Sequence, residues 1–320
     1  MGVHEVEKEM KWWTSAGVVL ALMGLMTQIG AMRTERAFPP IGEFVLIDGV
    51  KLHYTERGSG RCIVLIHGAS TSLRDFEASL VEPLSQAHRV IAIDRPGHGY
   101  SERPNGEWRD PAEQARLIHK LLRAIDADTP LLVGHSWSGS VVLAYLLEYP
   151  QAASGGVLLA GGTHPWKGGV AWYNDLVGVP VLGELFAWTV AYPIGLLALD
   201  AGIKQVFDPN PVPEDYRDDT GVELSLRPHA FLANAEDVRR LSDFLAVQSR
   251  RYGEIEHPLL LFTGTDDDIV PAWNHADRLE MQVDRIERID LQDTGHALHH
   301  ARAEQVAAAI SAFSDQFGVG

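Results

Sequence analysis

The sequence predicts an α/β protein, a mostly parallel, twisted sheet flanked by helices. Three observations predict it. Five short runs are almost wholly apolar: "RCIVLIHG" (61–68), "RVIAID" (89–94), "PLLVGH" (130–135), "GGVLLAG" (155–161) and "PLLLFTG" (258–264). Such runs mark strands buried on both faces. Stretches with helical spacing lie between them, as in "PAEQARLIHKLLRAI" and "SGSVVLAYLLEY". The alternation is interrupted once, over residues 163–253, and then resumes.

The N-terminal segment, residues 1–37, comes first. No charged residue occurs from Trp12 to Met32, about the 20 residues that cross a hydrocarbon core. Trp12 and Trp13 stand where interfacial aromatics belong. Lys8 and Lys11 before the run balance Arg33 and Arg36 after it, so the charges set no orientation. The expectation is an N-terminal transmembrane helix that anchors the chain in a membrane. The rival is an exported protein whose signal is cleaved near Ala31, which Ile29 and Arg33 fit poorly. A soluble amphipathic or buried helix is the third reading. Either of the first two puts the catalytic domain outside the cytoplasm.

"AFPPIGE" reads as a linker. "FVLIDGVKLHYTERG" reads as a hairpin turning at Asp48-Gly49, and Pro111 suits the first position of a helix. Residues 38–162 and 254–320 then form the core. Residues 163–253, rich in aromatics and prolines and without a strand pattern, form an inserted helical cap. The formal net charge of −16 argues against nucleic-acid binding. The one cysteine, Cys62, has no partner within the chain and reads as a small buried hydrophobe.

The chemistry-bearing residues fall at the carboxyl ends of the predicted strands, where open parallel sheets bind ligands. "GHSWS" places Ser136 between Gly134 and Ser138. A sharp strand-to-helix turn of this kind needs small residues two before and two after the nucleophile. Ser138 departs from the usual glycine, and Gly139 follows it. A serine hydroxyl needs a base. His296, in "TGHALHH" after a predicted strand, is that candidate, while His299 and His300 read as solvated or capping residues. An acid must hold the base. Asp267 is the choice within "GTDDDIVP", ahead of Asp266 and Asp268, and Asp268 suits an N-cap. Backbone N–H groups of Ala69 and Trp137 are the candidate oxyanion donors. His67 on the same turn, with Trp166 and Trp172 in the interrupted segment, are candidates to touch substrate. The Gly-rich "DRPGHGYS" lacks the fingerprint of a nucleotide loop, and three clustered histidines without a defined partner set do not make a metal site. No cofactor and no metal are expected.

In this order, "HGAS", "DRPGHGYS", "GHSWSG", "GTDDDIVP" and "GHALHH" resemble the α/β-hydrolase fold superfamily over residues 42–162 and 254–318. The resemblance implies Ser136 as nucleophile, Asp267 as acid, His296 as base, and an oxyanion hole at Ala69 and Trp137. A serine in place of aspartate argues against epoxide hydrolase or haloalkane dehalogenase chemistry. The expected function is hydrolysis of a carboxylic ester of an apolar small molecule through an acyl-enzyme. A C–C bond hydrolase, a lactonase, an amidase, a cofactor-free haloperoxidase or a non-catalytic small-molecule receptor would carry similar motifs.

Overall fold

Strong turn chemistry opens the core, and each predicted strand follows it. The computed structural model describes residues 3–104 and 108–317, and for residues 3–14 and 16 the backbone only. The side chains of Lys8, Lys11, Trp12 and Trp13 therefore lie outside the described residues. Asp48 and Gly49 take positive φ (51° and 82°), the backbone of a two-residue hairpin turn. They join β1 (Glu43–Ile47) to β2 (Val50–Arg57). β3 (Cys62–Ile66), β4 (Arg89–Ile93), β5 (Leu131–His135), β6 (Gly155–Leu159), β7 (Leu259–Gly264) and β8 (Ile286–Leu291) follow.

The sheet order is β1-β2-β4-β3-β5-β6-β7-β8. β1 and β2 pair antiparallel, β2 pairs antiparallel with β4, and the other pairings are parallel. The chain runs from β3 outward to β4, then returns across β3 to β5. The carboxyl ends of β3 and β5, neighbours in register at Ile66 and Gly134, flank this switch point, where open sheets bind ligands.

Helices cover both faces. On one lie α2 (Pro111–Ala124) and α3 (Gly139–Glu148), burying Leu117, Ile118, Leu121 and Val141 to Leu146 against the sheet. The expected start of α2 holds: Asp110 caps it, accepting from the Glu113 N–H at 2.7 Å, with Pro111 next. On the other face Val306, Ile310 and Phe313, from the helix Ala303–Phe317, pack with Phe76 and Leu80. Cys62 is half-buried at the start of β3, and burial pushes its thiol up to about 12.

Residues 163–253 carry no strand, as expected. They include short helices Trp172–Val177 and Leu182–Phe186, a π-turn at Ala187–Ala191, α4 (Tyr192–Phe207) and α5 (Pro228–Gln248). The N-terminal helix α1 (Val3–Ala37) is longer than its apolar run. Its second half packs on this segment. Thr27 donates to the Thr189 carbonyl at 3.1 Å, and Thr34 and Tyr192 share a 2.8 Å hydrogen bond. A Cβ on Gly30 would sit inside the Tyr192 ring, so only glycine allows this approach.

Candidate active site

β5 ends in a turn too tight for ordinary side chains. A Cβ on Gly134 would meet the Ser138 carbonyl oxygen at 2.5 Å, and one on Gly139 would meet the Gly161 Cα at 2.7 Å. Ser136, between them, is held at φ 52°, a conformation that costs a non-glycine residue of order 1–3 kcal/mol and clusters at functional sites. The serine at 138 is accommodated because its φ is −76° and its hydroxyl, fully buried, donates to the His67 carbonyl. The departure from glycine thus ties the turn to the loop after β3.

The hydroxyl of Ser136 lies 2.8 Å from His296 Nε2, and His296 Nδ1 lies 2.8 Å from Asp267 Oδ2. A carboxylate accepts only, so Nδ1 carries the proton and Nε2 is free to accept from the serine. Asp267 is buried, whereas Asp266 and Asp268 are exposed. Its other oxygen accepts from the N–H groups of Ile269 and Val270, both at 2.9 Å. Asp267 therefore takes the local capping bonds that the sequence suggested for Asp268. Burial by itself raises the Asp267 carboxyl. The His296 ring and these N–H groups overcome it and hold the carboxyl below its usual value. A hydroxyl, an imidazole and a carboxylate in this order can move a proton off the oxygen.

Ala69 and Ser136 line one cavity of about 550 Å³, within the range of ligand pockets. Trp137 is the second residue of a short 3₁₀ turn, Ser136–Ser138, whose first N–H groups have no partner within the helix. The loop before Ala69 is fixed from below by Arg95, a fully buried residue of "DRPGHG". Its guanidinium donates to the carbonyls of His67 and Gly68, each at 3.1 Å, and to Asp237 of α5 at 2.6 Å. The same guanidinium lies 4.2 Å from the Trp137 ring, whose Nε1–H donates to the Asp237 carbonyl. From the other side, Asn234 of α5 accepts from the Ser70 N–H at 2.6 Å. The sequence reading missed Arg95, Asn234 and Asp237. Their partners lie up to 164 residues away, and only the Gly-rich loop hinted at one of them.

The other candidates separate. Trp172 lines the cavity. His67 does not: it is fully buried, bonded to the Gly68 carbonyl and the Arg95 N–H. Desolvation, with Arg95 adjacent, pushes it down to about 3. Trp166 also lies off the cavity, against Ser242 of α5 and the main core. His299 and His300 are not solvated. Their Nε2 atoms lie 2.9 and 2.8 Å from the two oxygens of buried Asp75. Burial raises that carboxyl, but the two imidazoles pull it well below its ordinary value. The ligand atoms of Asp75, His299 and His300 lie within 4.8 Å of one another, close enough to hold a metal ion, though as placed the carboxylate already serves both rings. His135 lies between His296 and His299, its ring tilted against both, and donates from Nε2 to the His296 carbonyl.

A second cleft of about 370 Å³ also reaches His296, lined by Lys204, Asp208, Asp266 and Asp268 among others. The 550 Å³ cavity is mainly apolar, walled by Phe186, Val190, Ile194, Leu199, Ile203 and Phe231. The two spaces meet at the imidazole.

The chain is 28% identical over 296 residues to a 2-hydroxymuconate semialdehyde hydrolase of Pseudomonas sp. strain CF600, covering 89% of this chain and 96% of that one. It is 32% identical over 127 residues to a Mycobacterium tuberculosis protein described only as uncharacterized. That match takes 39% of this chain and spans 36% of the relative's length. The crystal structure of wild-type Cfl2 from Burkholderia cenocepacia superposes with a TM-score of 0.71 at 21% identity, over 85% of this chain and 94% of that one. A family model described as "Alpha/beta hydrolase family" matches residues 63–309, the span that holds all but the first two strands and every residue of the serine–histidine–aspartate arrangement. The chain belongs to the alpha/beta hydrolase family.

Proposed function

We propose that the protein is a serine hydrolase that cleaves a carboxylic ester of an apolar small molecule. The reading rests on one observation, the 2.8 Å contacts that link Ser136, His296 and Asp267. Ser136 is the nucleophile. His296 takes its proton as the oxygen attacks the ester carbonyl, and Asp267 stabilises the imidazolium. The N–H groups of Ala69 and Trp137 receive the oxyanion. His296 returns the proton to the leaving alcohol, and water then repeats the sequence on the acyl-enzyme. Residues 163–253 form the cap that carries the apolar wall, and Trp172 contacts the acyl group. Residues 12–32 anchor the chain in a membrane.

The apolar cavity favours an uncharged acyl group. Among the described residues, those lining it include no lysine or arginine but do include Asp75. A second reading, C–C bond hydrolysis, is favoured by the Pseudomonas relative. A muconate is a carboxylate and calls for a cation, and Lys204 lines the second cleft.

The test is labelling with a fluorophosphonate, followed by a series of p-nitrophenyl esters of increasing acyl length. The expected result is a label lost in Ser136→Ala and turnover that favours longer chains. Failure to label would leave a binding protein. Labelling without turnover of any ester would leave the C–C reaction.

A further inference from the structure

We propose that the cap lies in one leaflet of the bilayer and that the apolar cavity opens into the lipid, so that substrate enters sideways from the membrane. The proposal rests on reading residues 12–32 as the anchor, and three independent features carry it.

The first is the register of α1 against the cap. Gly24 faces the Trp188 carbonyl and Thr189, Thr27 bonds Thr189, and Gly30 takes the Tyr192 ring. These residues come nine, six and three positions before Arg33, the first charge after the run. At 1.5 Å per residue they lie about 14, 9 and 5 Å inside the end of the uncharged segment. Half a hydrocarbon core is about 15 Å. A helix that spans with residues 12–32 therefore carries residues 188–192 into the near leaflet.

The second is the composition of the cap there. Residues 176–199 include one charged side chain, Glu184, where the chain's average of 22% would give about five. Val181, Leu182 and Leu197 are 76%, 53% and 83% exposed, and Leu185 and Ile194 are exposed as well. On α1, Val18, Leu22, Leu25 and Met26 add to that exposed apolar surface. An apolar face of this extent signals a partner. The chain's net charge of −16 makes an apolar rather than an anionic surface the match.

The third is the mouth of the cavity. Trp172, Tyr173 and Ile194 are exposed and also line it, so the cavity opens on the same apolar side. The polar cleft with Lys204 and Asp208 reaches His296 separately and gives water and a polar product another path. The substrate class that fits is a membrane-dissolved ester with a long apolar acyl chain and a small polar alcohol.

The experiment uses the full chain reconstituted in phosphatidylcholine vesicles. Single cysteines are introduced at Leu182, Leu197 and Asp128 in a Cys62→Ser background and labelled with a fluorophore. Asp128 is exposed and precedes β5, at the sheet end away from the cap. Brominated lipid should quench the labels at 182 and 197 and leave that at 128 bright. Flotation with the vesicles but no quenching at 182 and 197 would overturn the proposal and leave the anchor standing. Absence of flotation would remove both. In addition, Leu182→Glu/Leu197→Glu should float and turn over a water-soluble short ester normally. It should lose about tenfold or more on a long-chain ester carried in the vesicles, because carboxylates are poorly tolerated in the leaflet. Equal turnover of both esters would overturn entry from the lipid. Ser136 labelling in detergent reads the hydrolase assignment separately.

Discussion

Asp267→Asn is the sharpest test of the proton relay. The substitution keeps the shape of the side chain but removes its charge. Asn can still accept from the N–H groups of Ile269 and Val270, which now bond one aspartate oxygen at 2.9 Å. Its NH₂ then faces His296 Nδ1, now 2.8 Å from the other oxygen. Two donors cannot meet, so the ring adopts the tautomer with Nδ1 bare and Nε2 protonated. That tautomer cannot accept the Ser136 proton. The transition state also loses the carboxylate beside the imidazolium. With charge centres about 4 Å apart and an effective dielectric of about 20, that attraction is about 4 kcal/mol, or roughly 10³ in rate. Adding the tautomer change, kcat should fall by about 10⁴. The assay is hydrolysis of a short p-nitrophenyl ester with purified protein, with thermal melting to show that the variant is folded. Activity within about tenfold of the parent, or an equal loss in Asp266→Asn, would refute the assignment of the acid.

Asp237→Ala should leave buried Arg95 without its 2.6 Å partner and cost about 3–5 kcal/mol, read as a lowered denaturation midpoint. An unchanged midpoint would mean that the pair does not brace the loop after β3. Gly134→Ala puts a methyl 2.5 Å from the Ser138 carbonyl and should cost about 1–3 kcal/mol together with any turnover of the p-nitrophenyl ester. Retention of both would show that the turn can relax. His67, His98 and His135 are buried with desolvation holding all three down, His67 to about 3 and the others well below their ordinary value. Their neutral forms therefore favour the fold fully above about pH 6.5, and that contribution drains away as pH falls towards the folded values. The urea midpoint should drop between pH 7 and pH 5, and a flat profile would mean that the rings take up protons as readily in the native state as in the unfolded chain. Asp75 runs the same way at lower pH. Its carboxyl is held down despite burial by His299 and His300, so its contribution is complete above about pH 4 and lost below. Asp75→Asn should remove that acid limb from a pH–stability curve.

Local sequence determined much of this protein. Alternation of apolar runs and helical spacing fixed the α/β class, because buried strands must be apolar on both sides and their helices on one. Turn chemistry located the hairpin at Asp48-Gly49. The small residues around Ser136 marked the tight corner, since no larger side chain fits where β5 meets α3. Position at strand ends gathered Ser136, Asp267 and His296 on one rim from the sequence alone. Tertiary structure decided which of three aspartates is buried against the imidazole, which a run of identical residues cannot encode. It decided that His299 and His300 share Asp75, 224 and 225 positions earlier, and that Arg95 reaches Asp237 across 142 residues. It also laid α1 along the helices that wall the cavity, with hydrogen bonds spanning about 160 positions. Periodicity reports only which face of a segment avoids water. Which distant face it meets is set by packing and charge pairing once the chain has closed, and the loop that presents Ala69, like the mouth of the cavity, is built from such meetings.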